Sequence, residues 1–377
     1  MGATESILTT GKKSPGAKVA IVPCKTYGLE EIKAAFQQSF DLLGGLGRLV
    51  SQRTVTIKVN LTGTDFTNYL GRPVGETYMT HGATALVLGR LLLDAGARRV
   101  RFVESTNSRS VLESSLSFAG WDVKAVAALG KVEFENTRNL GLGKKYAHLK
   151  VPSGGLMFSS FDLNHSYQDT DFLVSLCKLK NHTTVGITLS MKNLFGTTPN
   201  SLYGHEAGHE DAVAGRDPIH GPDKSPFDPL PADMELPGLK VKFAALPRDP
   251  GLRVPRTIVD LCGARPIDLA IIDGITSMEG GEGPWCEELN PVRVTKPGVI
   301  IAGLNPVSTD AVGTAVMGYA NPRGKRGTDP FFYTDNHLLL AEEAGLGTAD
   351  LQQIEVLGQP ITRSICKYRM ALPKPQP

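Results

Sequence analysis

Short runs of β-branched and other apolar residues recur along the chain, separated by stretches whose apolar positions fall three and four apart. Lys18-Val-Ala-Ile-Val-Pro23 has the pattern of a buried strand, and Leu29 to Leu46 follows with Ile32, Ala35, Phe36, Phe40 and Leu43 at helical spacing. Thr54-Val-Thr-Ile-Lys-Val-Asn60 predicts a second strand. Thr80 is placed to cap a helix from His81 to Ala95, and Arg99 to Glu104 predicts the strand after it. Strand, helix, strand at this spacing implies a right-handed parallel crossover. The expected fold is therefore α/β, a mostly parallel sheet with helices on both faces.

The rhythm continues through shorter strands near His148 to Val151 and Leu156 to Phe161, and a longer one from Asp171 to Leu179. That strand runs into a Lys/His turn and then Val185 to Leu194. From about Thr197 to Pro255 it stops: prolines and three histidines replace the periodic pattern, as in a binding loop, a lid or a poorly ordered insertion. It returns at Ile267 to Asp273 and Gly298 to Ala302, with helices at Thr309 to Met317 and around Asn336 to Glu343, and an edge strand at Leu351 to Leu357. These elements give an α/β domain over 18–362, open to division into lobes at 18–196 and 256–362 around a 197–255 insertion. Flexible tails are expected at 1–17 and 363–377.

Composition narrows the function classes. The 377 residues are 41% hydrophobic and 21% charged, which suits a globular protein, and 40 basic residues against 38 acidic ones project no strong field. Nucleic acid and anionic membrane surfaces are therefore poor partners, and charge recognition must be local. The longest apolar stretch, Ala83 to Leu93, is interrupted by Gly89 and Arg90 and falls short of the ~20 residues that span a bilayer. The first residues lack the apolar core of a secretory signal. Cys24, Cys177, Cys262, Cys286 and Cys366 are scattered, with no C-x-x-C pair. This argues against a disulfide scaffold or an iron–sulfur cluster held by the chain's own cysteines, and suits a reducing cytoplasm. Glycine-rich nucleotide fingerprints are absent.

Candidate chemistry gathers at strand ends. The strand from Asp171 delivers Lys178, Lys180, Asn181 and His182, Lys192 and Asn193 follow shortly after, and Lys58 with Asn60 ends an earlier strand. Open α/β sheets bind ligands at their carboxyl edges, so three basic strand ends converging there favour a small anion, a carboxylate or phosphate. Ordinary solvated strand termini are the bland alternative. Cys177 beside Lys178 could be reactive, although a buried cysteine is more often inert. His205-Glu206-Ala-Gly-His209 matches H-E-x-x-H, a zinc-hydrolase pattern that needs a helix, yet Gly204 and Gly208 oppose one. A looser metal site at His205, His209 or His220 stays open.

Several of these segments also resemble a family. Lys178-Leu-Lys-Asn-His-Thr-Thr184, Ser190-Met-Lys-Asn-Leu-Phe-Gly196, Ile57-Lys-Val-Asn60 with Thr80-His81, the run Ile271 to Pro284, and Asn305-Pro-Val-Ser-Thr-Asp-Ala-Val-Gly313 are similar to the domain of unknown function 362 family, in order over roughly 18–320. The resemblance adds an acidic group: Asp273, Glu279, Glu282 and Asp310. Such carboxylates could hold a divalent cation or act as acid and base near the lysines, while Asp310 could equally cap a helix and Gly280 to Gly283 could simply turn. Some members carry an added ferredoxin-like cysteine cluster, which this sequence lacks. The leading expectation is an enzyme acting on a small anionic molecule. Lys58, Asn60, Lys178, Asn181, Lys192 and Asn193 would bind it, His182, Lys180 and Asp273 would serve catalysis, and Glu279 and Asp310 are candidate metal ligands. The alternatives are an iron–sulfur or metal-associated accessory protein and a zinc hydrolase at His205, Glu206 and His209.

Overall fold

The computed structural model describes residues 17–62, 66–221, 233–287 and 290–372. The expected first tail therefore lies almost wholly outside the described residues, as do residues 373–377 and the middle of the proline-rich insertion.

Apolar runs become the strands of one sheet, eight-stranded among the described residues: β1 (Ala17–Pro23), β2 (Thr54–Lys58), β3 (Arg99–Glu104), β4 (Val132–Asn136), β5 (Phe172–Lys178), β6 (Leu269–Gly274), β7 (Val299–Gly303) and β8 (Ile354–Gly358), in the spatial order β8-β1-β7-β6-β5-β2-β3-β4. β7 runs antiparallel to both β1 and β6, while every other neighbouring pair is parallel. β1 lies between β7 and β8, so the stretches before and after the insertion build the same sheet. Both faces are covered. Along β6, Leu269 and Ile271 pack among helices α1 (Leu29–Leu42) and α2 (Gly82–Asp94), whereas Ala270 and Ile272 pack on the opposite side. That side carries α4 (Pro250–Ala264) and α5 (Pro306–Val316), with the short α3 (Ser190–Asn193) packed against both helices and against β5. Alternation with both faces buried is why the strands read as continuous apolar runs.

Three local expectations change. His81, not Thr80, caps α2: its ring accepts the Ala83 N–H at 3.0 Å, while the Thr80 hydroxyl donates to Leu176 O and accepts from Asn60 N–H, tying two strand ends together. The helix α4, which begins in the last residues of the insertion and contains Pro250 and Pro255, was not among the expected elements. Asp249 caps this helix and Pro250 sits in its first turn, where no N–H is needed. The Gly251 carbonyl that Pro255 leaves without a helical donor is taken by Asp335 N–H and the Thr334 hydroxyl. Residues 365–372, read as part of a tail, are held by specific bonds instead. The Tyr368 hydroxyl donates to Leu179 O at 2.9 Å, and Arg369 N–H donates to Glu279 Oε2 at 2.9 Å.

Candidate functional site

β2, β3, β5 and β6 end at the same rim, and their last side chains are Lys58, Glu104, Lys178 and Asp273. Register sets Lys58 beside Val103 and Lys178 beside Asp273. Each lysine is driven inward because helices cover both sheet faces, and a buried ammonium needs acceptors. Lys58 finds Glu104 Oε1 at 2.6 Å, Val59 O at 2.7 Å and Asn193 Oδ1 at 3.3 Å. Lys178 finds the Tyr27 hydroxyl at 2.7 Å, Gly75 O at 3.0 Å and Asp273 Oδ2 at 3.3 Å. Burial pushes the Lys178 ammonium down and the Asp273 carboxyl up, with the partner's charge opposing in each case. Lys180 donates to Thr62 Oγ1, Tyr78 O and Glu282 O at 3.0, 2.7 and 3.0 Å. All three donors of each ammonium are thereby engaged by protein.

Beyond the rim the chain makes a hairpin, Lys180–His182 against Gly186–Thr188, and then α3. Asp310 on α5 accepts from Ser190 N–H, Ser190 Oγ and Met191 N–H at 2.9, 2.6 and 2.8 Å, fixing where α3 begins. Asn193 accepts from Asn60 Nδ2 and donates to Lys58 O and the Ser175 hydroxyl, locking α3 to two strand ends. Lys192 thereby faces a cavity of about 380 Å³ lined by Lys58, Asn60, Glu104, His182, Phe195, Arg216, His220 and Glu282, among others. Gly196 permits the close approach: a Cβ there would stand 2.9 Å from Lys58 Nζ and 3.0 Å from Glu104 Oε1.

The cavity's electrostatics differ from those of the rim. Lys192 is 9% exposed, and its ammonium lies 4.7 Å from the centre of the Phe195 ring, with no hydrogen-bond acceptor among the described residues. Burial, with Arg216 and Lys58 nearby and only Glu282 and Glu104 opposing, pushes it down to about 7. Arg216 donates to Thr198 O at 2.7 Å through Nε and to Ser105 O at 2.9 Å through Nη2, leaving three of its five N–H groups without an acceptor among the described residues. The His182 ring accepts Thr184 N–H at Nδ1, 3.0 Å away, so Nε2 carries the proton of a neutral imidazole. Burial, with Lys192 and Lys180 adding to it, holds His182 well below its ordinary range. His220, 5.3 Å from His182 between ring centres, is depressed likewise. Glu282 is already engaged by Thr183 N–H, the Thr183 hydroxyl and Trp285 Nε1. The wall thus presents unused donors on Lys192 and Arg216, while its carboxylates Glu104 and Glu282 are occupied.

The structure brings together Lys58, Asn60, Lys192, Asn193, His182, His220 and Glu282 at this cavity and leaves the other sequence candidates elsewhere. Asn181 is absorbed by the Tyr319 hydroxyl and Gly280 N–H. Asp273 is paired with Lys178, Asp310 caps α3, and Glu279 binds Arg369 through its backbone N–H and guanidinium. Among the described residues, no three His, Cys, Asp or Glu side chains are arranged to hold a metal ion. The H-E-x-x-H match lacks its scaffold: residues 205–209 form turns rather than a helix, with Gly208 at φ +100°. Cys177 is buried, which raises its thiol well above the ordinary range and leaves it unreactive. Sequence reasoning missed Arg216, a single arginine in an aperiodic loop. Only its place before the helical turn Asp217–His220 could have hinted at a fixed position.

The family model described as Domain of unknown function (DUF362) matches residues 55–315. A crystal structure of a protein from Thermotoga maritima is similar at 16% identity and a TM-score of 0.36, covering 74% of this chain and 56% of that one. The lactate racemase apoprotein from Thermoanaerobacterium thermosaccharolyticum is similar at 12% identity and a TM-score of 0.33, covering 68% of this chain and 50% of the other. This chain thus spans about half the length of these two structures. No curated protein matches it. Among the described residues, no helix is long and apolar enough to cross a membrane.

Proposed function

We propose, for a chain that belongs to the domain of unknown function 362 family, that the cavity beside α3 binds a small carboxylate or phosphate and that an enzyme reaction takes place on it. The observation that carries this reading is that the cationic donors of Lys192 and Arg216 on one cavity wall have no acceptor among the described residues. A ligand supplying anionic oxygens would meet charged donors that the protein itself leaves unmatched, and charge-assisted hydrogen bonds are the strong ones. Arg216 is suited to grip two oxygens of one anion, and Lys192 to follow as a point charge. Neutral His182, its tautomer fixed by Thr184, would donate a hydrogen bond from Nε2 to the bound anion.

The test is titration calorimetry of the purified chain against a panel of small carboxylates and phosphates, repeated with Arg216→Met. Saturable one-to-one binding of at least one anion, weakened in the variant, is the expected result. Unchanged affinity in Arg216→Met, in a protein with native circular dichroism, would remove the cavity from consideration.

A further inference from the structure

The four lysines near the rim divide by what their ammonium groups touch. Lys58, Lys178 and Lys180 each meet three acceptors, two of them in ion pairs. Lys192 meets the face of Phe195 and open cavity. Its other neighbours are further rings. His220 packs at 5.0 Å against the far partner of that contact, Phe195, and at 5.3 Å from His182. His337, fully buried with neither ring nitrogen hydrogen-bonded, is close enough for Lys192 to oppose its protonation. A lysine desolvated beside other cationic groups and free of acceptors has its amine lone pair available, which an ion-paired lysine has not.

We propose that Lys192 forms a covalent imine with the carbonyl carbon of a 2-oxo acid whose carboxylate is held by Arg216. This rests on the anion-binding reading above and names its substrate class. A plain carboxylate would use the charges of both side chains but not the lone pair of the deprotonated amine, and an uncharged aldehyde would use the lone pair but not the guanidinium. A carbonyl next to a carboxylate uses both. The balance is that of an ordinary condensation. The amine lone pair of Lys192 bonds to the carbonyl carbon while the carbonyl π pair moves to oxygen. A proton transferred from nitrogen makes that oxygen a hydroxyl, and the second amine proton, passed to the same oxygen, lets it depart as water while the nitrogen lone pair closes the C=N bond. One water leaves, nothing is oxidised or reduced, and no co-reactant is needed. His182 lines the same cavity, and the N–H of its neutral ring is suited to hydrogen-bond the carbonyl oxygen while the proton leaves from the amine. Burial that holds the Lys192 amine near neutrality at physiological pH supports the same conclusion.

The experiment is incubation of the whole purified chain with pyruvate, with and without sodium borohydride, followed by intact-mass and peptide mass spectrometry. The expected product is a single adduct on the peptide carrying Lys192, heavier by the mass of pyruvic acid less one oxygen atom, present only with borohydride. Lys192→Arg keeps the charge but cannot form the imine. It should lose the adduct while calorimetry still detects pyruvate, with affinity within about tenfold of the native chain. Pyruvate binding without an adduct, or adducts spread over several lysines, would overturn the imine and leave the anion site standing. Failure of pyruvate, lactate and phosphate alike to bind would overturn both.

Discussion

Lys178 and Lys192 are both buried and both stand near the carboxyl rim of the sheet, yet they occupy opposite kinds of environment. Around Lys178 the protein has supplied a carboxylate, a phenol and a carbonyl, and the site is closed. Around Lys192 it has supplied an aromatic face and a cavity. Burial alone therefore does not distinguish a structural lysine from a functional one; the distinction lies in whether the surrounding chain completes its hydrogen bonds. A completed cation stabilises the native packing. An incomplete one leaves interaction energy for a ligand to collect.

Mutation should separate the two sites. Lys178→Met strands Asp273 and the Gly75 carbonyl in the interior, and breaking a buried pair costs about 3–5 kcal/mol. Urea unfolding should move by that amount. A loss below about 1 kcal/mol would mean the pair is not what closes that site. Lys192→Met should leave unfolding nearly unchanged or slightly stabilised, since it removes a charge without a partner. It should instead weaken anion binding roughly 10- to 100-fold, the worth of about 1.5–3 kcal/mol for a charged hydrogen bond. Calorimetry reads the second effect and urea the first. A reversal of the two patterns would erase the contrast.

The acidity of Lys192 sharpens the contrast through pH. Its ammonium is pushed down to about 7, so the protonated form that attracts an anion is lost as pH rises through that value. Affinity for a carboxylate should fall by up to about tenfold per pH unit above 7, and Lys192→Met should flatten that fall. The sign for stability is opposite. Between about 7 and the ordinary lysine value of 10.5 the unfolded chain binds more protons than the folded one, so stability should rise with pH across that window. Lys180, pushed down to about 7 as well, contributes to that rise but not to the affinity profile, because its donors are taken by protein. The smallest effect belongs to His209, exposed in the turn that matches H-E-x-x-H. His209→Ala should change neither anion affinity nor unfolding measurably, and a loss of bound zinc in that variant, read by elemental analysis, would revive the metal reading.

Much of the fold was legible in advance because local patterns and global packing agree. β1 and β3 lie close to their apolar runs, and so does β5, since a strand buried on both faces can be built from little else. α4 was not legible, because the groups that satisfy the carbonyl freed by Pro255 come from Thr334 and Asp335, far along the chain. The candidate site divides similarly. Lys58, His182 and Lys192 were visible as strand-end and turn residues in a basic pattern, whereas Arg216 sits in a segment with no periodic signal at all.

Residue order by itself determined that apolar strands would end in lysines and asparagines at one rim. Alternating burial and the direction of parallel crossovers leave few other outcomes. Only the tertiary structure decided which of those lysines would find acceptors. Glu104, Asp273 and the Glu282 carbonyl approach Lys58, Lys178 and Lys180 from distant parts of the chain, while the neighbours of Lys192 are rings, further cations and carboxylates out of hydrogen-bonding reach. Hydrogen bonding acts over about 3 Å, a scale set by how segments converge in space and not by their spacing in sequence.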